Sequence, residues 1–123
     1  MPAPRKPPRT PEDLLPLTPA AFHILVALAE GDRHGYAIMQ EVAERSGGRV
    51  RLNPGTLYTN MRRLLEQGLI VELTDKARYS TREERRRLYR LSDAGRHVIQ
   101  LELQRLDRLL ALGRRAGLVT DRS

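Results

Sequence analysis

The fold is decided by residues 53–70, which read NPGTLYTNMRRLLEQGLI. Asn53 is a good helix N-cap, and Pro54 suits the first helical position, where its missing N–H costs no hydrogen bond. Four apolar residues then recur at helical spacing: Leu57, Met61, Leu64 and Leu65. Gly68 supplies the C-terminal stop. The stretch therefore predicts a helix with one apolar face for a core and one face of hydroxyls, amide and arginines for a groove.

Two short segments after this helix have strand character. Residues 69–73 read LIVEL and residues 87–91 read RLYRL, and both have the alternating or β-branched look of a strand. Between them lies the polar loop 74–86, which is long enough for a hairpin with an extended tip. A helix of this kind followed by a hairpin indicates a winged helix-turn-helix. The predicted fold class is therefore mainly α with a small β-hairpin, built from three helices and a two-stranded wing.

Start and stop signals mark three further helices. The first opens at the N-cap Thr18 and ends at Gly31, and the second begins around Asp32 to Gly35 and ends at residues 47–48. Ser92 caps a final helix, in which apolar residues recur at spacings of four, three and four: Ile99, Leu103, Leu106 and Leu110. That seam is typical of a helix–helix contact of the coiled-coil type and predicts pairing of two copies.

These boundaries divide the chain into four parts. The Pro-rich residues 1–16 predict a disordered basic tail, which serves either as a solvated terminus or as an arm that contacts phosphates or a minor groove. Residues 17–91 form the predicted winged-helix DNA-binding domain, and residues 92–115 form a C-terminal dimerisation helix. Residues 116–123 are expected to be a flexible end.

Composition favours a polyanionic partner and argues against catalysis. Lys and Arg total 22 against 15 Asp and Glu among 123 residues, which gives a formal charge of +7. Cysteine is absent, and the three histidines lie on separate segments without acidic partners at metal-ligand spacing. We therefore predict a non-enzymatic protein without cofactor or metal. The N-terminus lacks the apolar region of a signal peptide, and no apolar run could cross a bilayer, so we expect a cytoplasmic protein with no membrane contact.

The polar side of the helix that begins at Pro54 carries the groups that DNA recognition requires. Arg can donate two hydrogen bonds to guanine, Thr can bond a base, and Tyr can donate to a phosphate. A basic hairpin loop beside this helix would hold flanking phosphates, although a solvated charged turn explains most of its residues equally well. The predicted DNA-binding residues are Tyr36, Asn53, Gly55, Thr56, Tyr58, Thr59, Arg62, Arg63, Lys76, Arg78, Arg85 and Arg86.

Several motifs together resemble the PadR family of bacterial winged-helix transcriptional regulators. The resemblance covers roughly residues 17–100 and lies mainly in Leu17-Thr18-Pro19, His34-Gly35-Tyr36, Pro54-Gly55-Thr56-Leu57-Tyr58, Gly68-Leu69-Ile70 and Tyr89-Arg90-Leu91-Ser92-Asp93-Ala94-Gly95. The single C-terminal helix is similar to that of the smaller subfamily, in which one helix replaces a multi-helix tail.

The resemblance implies a homodimer whose last helix packs against the first helix of the partner, with two recognition helices on a palindromic operator in double-stranded DNA. It also implies a repressor that is relieved by a small hydrophobic or phenolic effector. The expected dimer-interface residues are Phe22, Val26, Ile99, Leu103, Leu106 and Leu110. The alternative hypothesis is a winged helix that serves as a protein-interaction module without specific DNA binding.

Overall fold

The computed structural model describes residues 10–73 and 87–120. Its helices are α1 (Pro19–Ala29), α2 (Gly35–Arg45), α3 (Pro54–Glu66) and α4 (Asp93–Arg115). Its strands are β1 (Arg33–His34), β2 (Ile70–Leu73) and β3 (Leu88–Leu91). The mainly helical fold with a small sheet is confirmed, and each helix lies where the caps and glycines predicted it.

Side-chain caps open α1 and α4 at the predicted positions. The Thr18 hydroxyl accepts a hydrogen bond from the Ala21 N–H at 3.1 Å, and the Ser92 hydroxyl accepts one from the Gly95 N–H at 3.0 Å. Each bond satisfies a first-turn N–H that has no partner within its own helix. The boundaries of both helices therefore follow from local chemistry.

The end of α3 and the start of α4 pack backbone against backbone. Gly68 has a φ of +73°, which closes α3 and turns the chain into β2. Its carbonyl accepts a hydrogen bond from the Ser92 hydroxyl at 2.6 Å. A Cβ placed on Gly95 would lie 2.0 Å from the carbonyl oxygen of Leu69, so no side chain fits there without a shift of the backbone. The start of α4 therefore lies directly against the backbone that links α3 to β2.

The sheet has the strand order β1-β3-β2 and is antiparallel throughout. Ile70 pairs with Leu91 and Glu72 pairs with Tyr89 between β2 and β3. The third strand, β1, was not predicted, because two residues are too few to show an alternating pattern. It joins the turn between α1 and α2 to the root of the wing.

All four helices and the sheet contribute to one apolar cluster. The buried members are Ile24, Leu25, Leu28, Ile38, Val42, Leu57, Met61, Leu64, Leu69, Ile70, Tyr89, Leu91, Val98 and Ile99. Because burial of one such side chain typically contributes about 1.5–3 kcal/mol, this cluster holds α3 firmly against the rest of the domain. Among the described residues, no helix is long and apolar enough to span a bilayer.

The N-terminal segment is more ordered than predicted. The expectation of a disordered tail up to residue 16 is wrong for Pro11–Leu14, which forms a 3-10 turn that contacts α4. The N–H of Leu17 donates to the Glu102 carboxylate at 2.6 Å, and Arg105 donates to the same carboxylate. The prediction of disorder followed the abundance of proline and gave no weight to Leu14 and Leu15, which pack on the core. Residues 1–9 lie outside the described residues.

Candidate nucleic-acid interface

The start of α3 is fixed by a reciprocal cap between Asn53 and Thr56. The Asn53 side-chain oxygen accepts from the Thr56 N–H at 2.8 Å, and the Asn53 N–H donates to the Thr56 hydroxyl oxygen at 3.0 Å. This is the capping-box arrangement. The Thr56 hydroxyl oxygen also lies 3.1 Å from the Asn53 backbone carbonyl. Both side chains were predicted to contact DNA, and in this structure both are engaged in starting the helix.

The two faces of α3 differ as the sequence predicted. Leu57, Met61 and Leu64 are buried, whereas Arg62 and Arg63 are exposed. Within the described part of the chain, neither arginine is held by an ion pair. Their guanidinium groups are therefore available to an anionic partner.

Two further polar residues of α3 are turned toward its own backbone. The Thr59 hydroxyl donates to the Gly55 carbonyl at 2.9 Å, and the Asn60 amide donates to the Thr56 carbonyl at 2.8 Å. Gly55 itself is exposed in the first turn, where the absence of a side chain leaves room for another molecule to approach the backbone. The Thr59 hydroxyl can therefore accept a hydrogen bond from a base as it stands, but it would have to rotate to donate one.

Two tyrosines lie where the start of α2 approaches the start of α3. Tyr36 is 65% exposed and Tyr58 is 42% exposed. A Cβ placed on Gly35 would lie 3.4 Å from Leu57 and 3.5 Å from the Tyr58 hydroxyl, so the two helices meet there at van der Waals distance. The His-Gly-Tyr and Pro-Gly-Thr-Leu-Tyr motifs, which are separated in sequence, are thus brought together at one end of the helix pair.

The root of the wing carries a polar group that the sequence analysis missed, which we call the wing-root cluster: Glu72, Arg87 and Tyr89. The Nε of Arg87 lies 3.1 Å from a carboxylate oxygen of Glu72, but the bond is poorly directed, and neither atom has another hydrogen-bond partner among the described residues. Tyr89 is 3% exposed. Burial, followed by the negative charge of Glu72, raises the pKa of the Tyr89 hydroxyl to about 12. The cluster is therefore a charged pair next to a phenol that stays protonated.

Ion pairs brace the turn that precedes α2. Arg90 of β3 makes two hydrogen bonds to the Asp32 carboxylate, at 3.1 and 2.8 Å, and these bonds lower the pKa of Asp32. Arg33 donates from its Nε to the carbonyl of Ala27 at 3.0 Å. Arg45 pairs with both Glu30 and Glu41. Ion pairs near the surface typically contribute little each, so we assign this network only a small share of the stability of the fold.

The four wing residues that the sequence nominated lie outside the described residues: Lys76, Arg78, Arg85 and Arg86. Within the described residues, the last pair of β2 and β3 on that side is Leu73 with Leu88. Contact of the four wing residues with DNA stays a prediction.

The predicted dimer seam divides into two parts. Ile99 is 4% exposed and packs within its own chain, so it offers almost no surface to a partner. Leu103, Leu106 and Leu110 are 48%, 38% and 39% exposed, and they lie on the part of α4 that extends past the core. Phe22 and Val26 of α1 are half-buried and pack against the core. The apolar surface left for a partner therefore begins at Leu103.

Comparison with known proteins places this geometry among regulators. Residues 24–101 match the family model described as the transcriptional regulator PadR-like family. The chain is 36% identical over 88 residues to the transcriptional regulator Rv3488 of Mycobacterium tuberculosis. The match covers 72% of this chain and 76% of that protein. It is also 37% identical over 90 residues to a 37.1 kDa protein in transposon TN4556 of Streptomyces fradiae, which covers 73% of this chain. The chain spans about a quarter of that relative, with 24% of its length matched.

Solved structures support the fold. A crystal structure of a PadR family transcription regulator from Clostridium difficile R20291 matches with a TM-score of 0.65 and 23% identity, over 80% of this chain and 97% of that one. A transcriptional regulator from Clostridium thermocellum, Cth-833, matches with a TM-score of 0.63 and 23% identity, over 78% and 87% of the two chains. The arrangement of α1–α3 with the sheet is thus that of a winged helix-turn-helix.

Proposed function

Because the chain belongs to the PadR-like family, which consists of transcriptional regulators and not of enzymes, we propose that it is a dimeric cytoplasmic repressor of a palindromic operator. The observation that carries this proposal is the asymmetry of α3. Its apolar face is buried in the core, and its other face presents Arg62 and Arg63 without an ion-pair partner among the described residues. A rigidly packed helix with free guanidinium groups suits the major groove of DNA.

The residues around α3 receive distinct roles in this proposal. Arg62 and Thr59 face the bases, while Arg63, Tyr36 and Tyr58 bind phosphates at the edge of the groove. Gly55 lets the helix approach the DNA backbone closely. Asn53 and Thr56 act through the helix cap, which their mutual hydrogen bonds support. In the wing, the basic side chains hold flanking phosphates: Lys76, Arg78, Arg85 and Arg86.

Pairing of two copies is assigned to the exposed part of α4. Leu103, Leu106 and Leu110 form a stripe there, and Leu109 and Leu112 widen it with exposed fractions of 49% and 58%. A contiguous apolar surface on a basic, polar chain is a feature of an interface. We propose that this stripe packs on Phe22 and Val26 of α1 in the second copy. Two α3 helices would then face successive turns of the duplex, about 34 Å apart.

Relief by a small hydrophobic or phenolic effector is proposed on family resemblance. A groove of about 490 Å³ lies between the N-terminal segment, α1 and α3. Leu17 and Leu64 contribute apolar surface to it, and Arg63 contributes a positive charge. Since Arg63 also belongs to the proposed DNA-binding set, a compound in this groove would compete with phosphate for that side chain.

Titration of the purified chain with genomic and random duplexes over a range of salt concentrations tests the function. A specific regulator should retain nanomolar binding to selected fragments at a salt concentration where random DNA is released, because specific sites typically bind about 10³–10⁷-fold more tightly. Uniformly weak binding that salt suppresses on every duplex would instead favour the protein-interaction module.

A further inference from the structure

The three consecutive arginines at the end of the wing, residues 85–87, do not share one role. We propose that Arg87 is a positioning residue, which together with Glu72 and Tyr89 holds the wing root against α3 and does not itself bind DNA. The inference rests on the proposed DNA-binding function. It separates Arg87 from Arg85 and Arg86, which keep the phosphate-binding role.

The register of the sheet places the wing-root cluster on the inner face. Ile70 and Leu91 are a directly paired couple of β2 and β3, and both are buried in the core. Side chains two residues apart on a strand lie on the same face. Glu72 and Tyr89 are the pair two residues further along the strands, so their side chains lie on the same face as the core pair. Arg87, two residues before Tyr89, lies on that face as well.

The buried end of the contact between Arg87 and Glu72 faces the core. Its side chain as a whole is 41% exposed, but its Nε is buried against a buried oxygen of Glu72 at 3.1 Å. The positive charge of Arg87 also partly offsets the rise in the pKa of the Tyr89 hydroxyl. Removal of one partner would leave the buried atom of the other without a compensating charge, which is unfavourable in proportion to the burial of that atom. Withdrawal of Arg87 toward a phosphate would leave Glu72 in that condition.

The wing-root cluster is also connected to α3. Tyr89 belongs to the same buried cluster as Leu57, the residue next to Tyr58 in α3, and β2, which carries Glu72, packs on α3. The Tyr58 hydroxyl lies beside Gly35 at the start of α2. The wing-root cluster is thus connected to α3 and to Tyr58 through the packed core. Displacement of Arg87 should move the wing strands and Tyr58 together.

The two roles of Arg87 predict opposite effects for Glu72→Gln. If Arg87 bound a phosphate, Glu72 would compete for it and repel the DNA, so its neutralisation would tighten binding. If Arg87 positions the wing through Glu72, the same substitution weakens binding. Glu44→Gln is the matched control, because it removes an equal charge from an exposed site on α2. It reports the effect of charge alone.

The experiment measures fluorescence anisotropy of a labelled operator fragment, recovered by genomic selection, with the full chain and its variants across salt concentrations. Glu72→Gln and Arg87→Gln should each weaken binding about tenfold, and the double variant should be no weaker than either, as expected for residues that act as a unit. The salt slope of Arg87→Gln should equal that of the wild type. Tighter binding by Glu72→Gln, or a slope reduced by about 0.9 in Arg87→Gln, would overturn the proposal.

A second measurement needs no DNA. Ring resonances of Tyr58 in NMR spectra should shift in Glu72→Gln and Arg87→Gln but not in Glu44→Gln, and Arg87→Lys replaces Arg87→Gln if the latter does not fold. Unmoved Tyr58 resonances would refute the positioning role even if DNA binding is established. Shifted resonances in a chain that binds no DNA would uphold the wing-root cluster and reject the proposed function.

Discussion

Replacement of Gly95 by alanine should destabilise the domain, although alanine is the better helix former. Gly95 is buried in the first turn of α4, and a Cβ there would lie 2.0 Å from the Leu69 oxygen and 2.9 Å from the Leu69 carbonyl carbon. Backbone atoms cannot rotate away, so the overlap is relieved only by a shift of α4. Overpacking typically costs about 1–3 kcal/mol, and an obstructing backbone argues for about 3 kcal/mol. The gain in helix propensity offsets roughly 1 kcal/mol. The free energy of unfolding should therefore fall by about 2 kcal/mol.

Urea denaturation followed by circular dichroism measures this change, and the same helix provides the control. Gly113 also lies in α4, but a Cβ there would meet only Val119, at an ordinary contact distance of 3.4 Å. Gly113→Ala should therefore raise the free energy of unfolding by up to about 1 kcal/mol. If Gly95→Ala proved as stable as Gly113→Ala, the close approach of α4 to Leu69 would not exist in solution, and the reasoning would fail.

Three further predictions concern the dimer, the wing and the N-terminal segment. Leu106→Asp should sediment as a monomer and bind the operator poorly, because one half-site loses its tethered partner; a variant that remains dimeric would remove Leu106 from the interface. Replacement of both Arg85 and Arg86 by alanine should weaken binding to all duplexes alike. It should also reduce the slope of log K against log salt concentration by about 0.9 per lost phosphate contact, whereas an unchanged slope would exclude these two residues from the DNA-binding site. Hydrogen bonds from Arg105, and then from Leu17, lower the pKa of Glu102 despite its burial, so its contribution to stability should be present above the ordinary pKa of glutamate and be lost as pH falls through the lowered value. Glu102→Gln should flatten this acid limb in thermal unfolding, and an unaltered limb would contradict the assignment.

Local signals were sufficient to locate the helices. The caps Thr18, Asn53 and Ser92 and the stop at Gly68 mark boundaries through bonds between near neighbours in sequence, and the structure contains those bonds. Features that depend on distant pairing were not accessible in this way. The strand β1 is too short to have a period. The partnership of Glu72 with Arg87 depends on a strand register that the length of the intervening loop does not determine.

The candidate site was predicted as a face of α3, but not the role of each residue on it. Asn53 and Thr56 have side chains that suit either a helix cap or a groove, and sequence alone does not separate the two uses. Ile99 poses the same problem on α4. The apolar stripe of α4 runs without a break from the buried Ile99 to the exposed leucines. One repeat of apolar residues therefore includes both core residues and surface residues, and only the burial of each side chain in the structure tells them apart.

The α3 helix is proposed to read the operator through its exposed face. Selection from a randomised duplex library with the wild-type chain and with Arg62→Ala tests this proposal most directly, because loss of a base contact should cost about 1–3 kcal/mol at a particular position. The wild type should recover a palindrome with half-sites one helical turn apart, and Arg62→Ala should lose preference at one base pair in each half-site. Recovery of the same full motif by both proteins, or of no motif by the wild type, would contradict the claim.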